Sequence, residues 1–208
     1  MSQAAPSSGE IFVVDDDPAV RDVLTIVFSR DGFQVTNFAD GASLLASARA
    51  RTPVCIILDV HIPGRSGLDI LKELNAQDYP APIFIISGQG DIPMAVDAIK
   101  NGALDFIEKP FRGSEIVGRV REAVEAQTRR RADPATAVAS SFHFPGREPL
   151  TRREHDVLAR IVAGASSKEA GRELGISPRT IEVHRARIME KLGAKNAADL
   201  VRIVYNRG

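Results

Sequence analysis

A chain of 208 residues, 44% hydrophobic and 26% charged, has the size of one large or two modest domains and a composition that excludes a disordered or fibrous protein. No apolar run approaches the roughly 18–20 residues of a membrane helix, and the opening MSQAAPSSGE has neither the basic start nor the apolar stretch of an export signal, so a cytoplasmic protein is expected. The zero net charge hides a division: residues 1–128 hold 18 acidic against 11 basic side chains, whereas 147–208 hold 13 basic against 8 acidic, as when an acidic module is joined to one that approaches a polyanion.

In chain order, EIFVV is followed by a helix from Pro18, FQVTNF by one near Asp40, and VCIILD by one near Gly67. APIFIIS then leads into a helix near Ile92, and ALDFIE into a long one from about Gly113. Five strand–helix units in succession predict an α/β domain, a doubly wound five-stranded parallel sheet of flavodoxin-like order with helices on both faces. Asp17 and Pro18 read as N-cap and first helical residue, and Gly32 and Gly102 stand where helices end in a left-handed turn. Cys55, inside the run VCIIL, has no disulfide partner and no metal ligands spaced around it, and reads as core.

From Arg129 to Pro149 three prolines and the lack of any sustained period mark a helix end and then a linker. The expected organisation is one domain over 1–128, a helix end and linker over 129–148, and a second domain over 149–208. The second domain has no strands and four helix starts: Thr151 with Glu154 and Ser166 with Glu169, both capping boxes, then Ser177 with Pro178, then Asn196. It is expected to be an all-α four-helix unit.

Ligands of a doubly wound sheet sit outside the carboxyl ends of the strands where the strand order reverses, here between the first and third strands. Asp15 and Asp16 close the first strand and Asp59 the third. Three converging carboxylates repel one another unless a cation joins them, and an all-oxygen set favours Mg²⁺. Ser87 closes the fourth strand and can hydrogen-bond a phosphoryl oxygen, while Lys109 follows the fifth and supplies a positive charge to the same group. Singly, these residues also read as caps, a turn residue and a solvated charge; four strand ends carrying them in one sheet argue for a site. Lys109 precedes Pro110, a bond that could be cis.

The stretches VVDDDPAVR (13–21), LDVHIPGRSG (58–67), SGQGD (87–91) and DFIEKPF (105–111) resemble the response-regulator receiver family over about the first 125 residues. The resemblance implies that Asp59 is the phosphoacceptor, and that Asp15, Asp16 and Asp59 bind Mg²⁺ together with the backbone carbonyl of His61. It further implies that Ser87 and Lys109 hold the phosphoryl group, that Phe106 is a rotating switch aromatic, and that a sensor histidine kinase donates the phosphoryl group. Ile62 stands where many relatives carry Met, and Ser87 where Thr is also common; neither removes a needed chemical group.

The segment SSKEAGRELGISPRTIEVHRARIMEKL reads as a helix, a tight turn at Gly175 and a second helix, the spacing of a helix-turn-helix. In the second helix Ile181, His184, Ile188 and Leu192 share one side, and Arg179, Glu182, Val183, Ala186 and Arg187 the other. The first side packs, and the small residues of the second allow close approach to base edges in a major groove. His184 reads as either a packing residue or a phosphate donor.

LTRREHDVLARIVAG (150–164), SSKEAGRELGIS (166–177) and RTIEVHRARIMEKLG (179–193) resemble the LuxR-type helix-turn-helix family. With the receiver stretches they resemble the FixJ-like branch of two-component response regulators. The resemblance implies base contacts from Glu182, Val183 and Ala186, and phosphate contacts from Lys168, Arg179, Thr180 and Arg187. It also implies dimer contacts through AADLVRIV, promoter DNA and RNA polymerase as partners, and a homodimer on phosphorylation. Ala170 and Gly171 replace the bulkier Ile-Ala usual after Lys-Glu, so looser packing of the first helix of the motif is expected.

The chain is thus expected to be a transcription factor controlled by phosphorylation and not an enzyme. Alternatives are a phosphate sink, or an adaptor whose helical domain binds protein. Asp15-Asp16-Asp17 and Gly90-Asp91 with Asp97 also offer a haloacid-dehalogenase-type phosphatase reading, but Lys109 follows the late acidic pair instead of preceding it, the Asp91–Asp97 spacing is too long, and that reading leaves Asp59 and the second domain without a role.

Overall fold

A computed structural model describes residues 9–88, 92–132, 144 and 147–205. The chain divides into two compact units, Met1–Val124 and Glu125–Gly208.

In the first unit, strands and helices alternate from β1 (Glu10–Val14) and α1 (Pro18–Arg30) through β2 (Gln34–Phe38), α2 (Gly41–Ala50) and β3 (Cys55–Asp59). A two-residue antiparallel hairpin follows, β4 (His61–Ile62) with β5 (Arg65–Ser66), then α3 (Gly67–Glu73), β6 (Ile83–Ser87), α4 (Ile92–Lys100), β7 (Asp105–Glu108) and α5 (Gly113–Ala132). The five long strands are all parallel in the order β2-β1-β3-β6-β7, with Val13 opposite Ile57, Ile57 opposite Phe84 and Ile85 opposite Phe106. β3 and β6 are buried along their whole length, which is why both read as unbroken apolar runs: helices cover both faces of the sheet. Cys55 is one of these core residues.

Local chemistry sets the boundaries. Asp17 caps α1 by accepting the Ala19 N–H with Pro18 in the first turn, and Asp40 caps α2. Gly32 and Gly102 take positive φ at helix ends, and the Lys109–Pro110 bond is cis.

The second unit holds α6 (Arg152–Val162), α7 (Ser167–Leu174), α8 (Pro178–Lys191) and α9 (Ala197–Tyr205). Both expected capping boxes form. Gly175 ends α7 in the left-handed conformation, and Ser177 caps α8. Val157, Leu158, Ala170, Leu174, Ile181, Ile188, Leu192 and Leu200 build the core. Residues 129–132 continue α5, while 133–143 and 145–146, where the linker is expected, lie outside the described residues. So do Gly90 and Asp91.

The expected loosening at Ala170-Gly171 is not what the packing shows. A Cβ on Gly171 would stand 2.7 Å from the Ile176 carbonyl oxygen and 3.4 Å from the Pro178 nitrogen, so the absence of a side chain brings α7 and the turn closer together.

Candidate functional site

The parallel register delivers the acidic residues to one edge. Asp15 follows β1 and Asp59 ends β3, the neighbour of β1, and carboxylate oxygens of Asp15, Asp16 and Asp59 all lie within 4.8 Å of one another. Asp15 and Asp59 are buried and Asp16 is exposed. Lys109, one residue beyond β7, places Nζ 2.6 Å from Asp15 Oδ2 and 3.0 Å from Asp59 Oδ1. Its own N–H is anchored on the carbonyl of Ser87, the last residue of β6.

Burial raises the Asp59 carboxyl above the ordinary range, Lys109 opposes that shift and Asp15 adds to it; the result is raised. Burial pulls the Lys109 ammonium down, but its contacts with the Asp15 and Asp59 carboxylates outweigh that and hold the ammonium above its usual value. Asp59 Oδ2 accepts the His61 N–H at 3.0 Å. Oδ1 is buried and, among the described residues, receives no directed hydrogen bond; the Lys109 contact has ion-pair distance without hydrogen-bond geometry. One ammonium against three carboxylates leaves net negative charge and an unsatisfied oxygen, so the donor set fits a hard divalent cation. Gly67 makes the close packing possible: a Cβ there would fall 2.3 Å from the Asp59 carbonyl oxygen.

Phe106 is half-buried on β7. Its N–H donates to Asp105 Oδ1, and the other oxygen of that buried carboxylate meets Arg119 of α5 at 3.1 Å. The sequence reading missed this tie and also Arg21, whose Nη1 donates to the backbone carbonyls of Asp15 and Asp16. The signal for Arg21 was a basic residue one turn into a helix, where the macrodipole disfavours it.

In the second unit Lys168, Arg179, Glu182 and Ala186 are exposed, and Val183 and Arg187 are half-buried. Thr180 does not join them. It is 3% exposed, with its hydroxyl 2.7 Å from that of the Ser177 cap, because its place on the helix adjoins the buried Ile181. Glu182 is engaged by the Ser167 hydroxyl, which orients it from α7. Arg187 lies 3.8 Å from Glu154, a fully buried carboxylate that also closes the α6 capping box and meets Lys191 at 3.0 Å. His184 faces the core at 4% exposure, and neither ring nitrogen has a hydrogen-bond partner among the described residues.

Comparison with known proteins agrees with both halves. Residues 11–121 match the response regulator receiver domain, and 148–204 match the bacterial regulatory proteins of the luxR family. The chain is 40% identical over 205 residues to the transcriptional regulatory protein FixJ of Bradyrhizobium diazoefficiens, covering 97% of each chain. It is 38% identical to the response regulator protein TodT of Pseudomonas putida, covering 93% of this chain and 84% of TodT. Full-length FixJ from B. japonicum is similar in structure, with a TM-score of 0.51 and 37% identity over 95% of this chain and 96% of that one. The chain therefore belongs to the FixJ-like response regulators, which join a receiver domain to a luxR-family DNA-binding domain.

Proposed function

We propose that this protein is a transcription factor of a two-component system, switched by phosphorylation of Asp59, and acting in the cytoplasm. The observation that carries the reading is the convergence of Asp15, Asp16 and Asp59 beside Lys109 at one sheet edge. An Asp59 oxygen attacks the phosphorus of a phosphohistidine on a sensor histidine kinase in line; the P–N bond breaks, and an acyl phosphate forms. Mg²⁺, held by Asp15, Asp16, Asp59 and the His61 carbonyl, supplies charge neutralisation when bound. Lys109 balances the remaining negative charge, and the Ser87 hydroxyl orients a phosphoryl oxygen. Phe106 relays the state of the site to a homodimer surface.

Lys168, Arg179 and Arg187 contact phosphates of promoter DNA, and Glu182, Val183 and Ala186 face base edges; RNA polymerase is the downstream partner. Thr180, buried beside the Ser177 cap, is assigned to capping in this reading instead of to phosphate contact. The test is labelling by acetyl phosphate with Mg²⁺, followed by DNA binding to a selected two-fold site. Wild type takes up one phosphoryl group and gains affinity, and Asp59→Asn does neither. Equal labelling of Asp59→Asn would end the site assignment, and labelling without any DNA binding would favour a phosphate sink.

A further inference from the structure

Arg21 stands at the fourth position of α1, near the positive end of the helix macrodipole, where the Asp17 cap is already engaged with the Ala19 N–H. Helix stability does not account for a cation there. Its guanidinium reaches back across the helix start, where Nη1 donates to the carbonyl of Asp15 at 2.7 Å and to that of Asp16 at 3.0 Å. These are the two residues whose carboxylates meet Asp59. The arginine is itself tied to the sheet: its carbonyl accepts the Thr25 hydroxyl, which in turn accepts the Asn37 amide of β2, each at 2.8 Å.

Holding a carbonyl fixes its peptide plane, and two successive planes fix the direction in which the intervening side chain leaves the backbone. Asp15 has further restraints, since Oδ1 accepts the Asp17 N–H at 3.0 Å and Oδ2 meets Lys109. Asp16 is exposed, and the contact on its carbonyl joins it to the rest of the site. Because the guanidinium binds carbonyls, it places the acidic pair without itself occupying a carboxylate oxygen.

We propose that Arg21 is a positioning residue for divalent-cation binding, a clamp on two carbonyls that sets Asp15 and Asp16 against Asp59. This rests on the reading of those three carboxylates as a Mg²⁺ site. Lysine at this position keeps the charge, but its ammonium ends one bond short of Nη1 and lacks the rigid fork of the guanidinium.

The experiment is titration calorimetry of the full chain with MgCl₂, for wild type, Arg21→Ala and Arg21→Lys, with thermal unfolding of each in a chelator. Arg21→Ala is expected to weaken Mg²⁺ binding about tenfold and Arg21→Lys about threefold or more, tenfold being roughly 1.4 kcal/mol. Unfolding midpoints are expected to stay near that of wild type. If Arg21→Ala does not fold, Arg21→Lys carries the comparison. Equal or tighter binding by the variants overturns the clamp, tighter binding being what removal of a nearby positive charge gives by itself. A wild-type protein that binds no Mg²⁺ overturns the metal reading and the clamp with it, whereas a wild type that binds while both variants match it overturns the clamp alone.

Discussion

His184 gives the second unit a pH dependence whose size follows from its surroundings. Burial pushes its imidazole from the ordinary 6.5 down to about 4; Glu154 opposes that shift, while Arg153 and Arg187 add to it. The folded state thus keeps the ring neutral while the unfolded chain binds a proton below pH 6.5, so stability is complete above that pH and falls as the solution is acidified. Linkage gives a loss of about 2 kcal/mol between pH 7 and 5, and about 3 kcal/mol by pH 4. His184→Leu, close in volume, removes that dependence. It also relieves two buried ring nitrogens that have no hydrogen-bond partner among the described residues, for a gain at pH 7 of about 1 kcal/mol or more. Native-state hydrogen exchange of α6 and α8 amides in the full chain, corrected for intrinsic rates, reads these opening free energies. A wild-type opening energy that does not change from pH 7 to 5, or a slope that survives His184→Leu, would refute the argument, as would an NMR titration of His184 centred near 6.5.

Changes at three further positions test the packing. Gly67→Ala pushes a methyl group into the Asp59 carbonyl and to within 3.0 Å of the Val60 Cα; it should cost the first unit about 1–3 kcal/mol in urea unfolding and slow phosphorylation by acetyl phosphate. Gly171→Ala forces α7 off the Ile176 carbonyl, with a similar cost in the second unit of about 1–3 kcal/mol and weaker DNA binding in a titration. Glu154→Ala removes a buried carboxylate from Lys191 and from the α6 cap, costing about 3 kcal/mol or more. Glu154→Gln keeps an acceptor for the cap and should lose less in the same unfolding assay; equal losses would assign the whole effect to the ion pair.

Much of this molecule is written in short-range pattern. The apolar runs at Cys55–Leu58 and Ile83–Ile86, Asp17 before Pro18, and the pairs Thr151/Glu154 and Ser166/Glu169 each state a local energetic preference, and each element forms as expected. The placement of Asp15, Asp59, Ser87 and Lys109 at strand ends was equally legible, because parallel strands bring their carboxyl ends to a common edge. The helix-turn-helix face was readable from the period of 3.6 at Ile181, His184, Ile188 and Leu192.

Tertiary structure decided the rest. The hairpin at His61–Ser66 has strands too short to carry a period, and it runs directly into Gly67, where a Cβ would strike the Asp59 carbonyl. Thr180 lies at the margin between the two faces of α8, where only the neighbouring cap settles that it turns inward. Glu154 looked like a cap residue and proved to be the buried counter-charge of Lys191, 37 positions away. Arg21 went unassigned until the fold brought its guanidinium over two carbonyls. Sequence fixes the preferences of residues a few positions apart, because those neighbours meet in any helix or strand they form. Contacts between distant residues depend on how whole elements pack, and no local pattern encodes the angle and distance at which that happens.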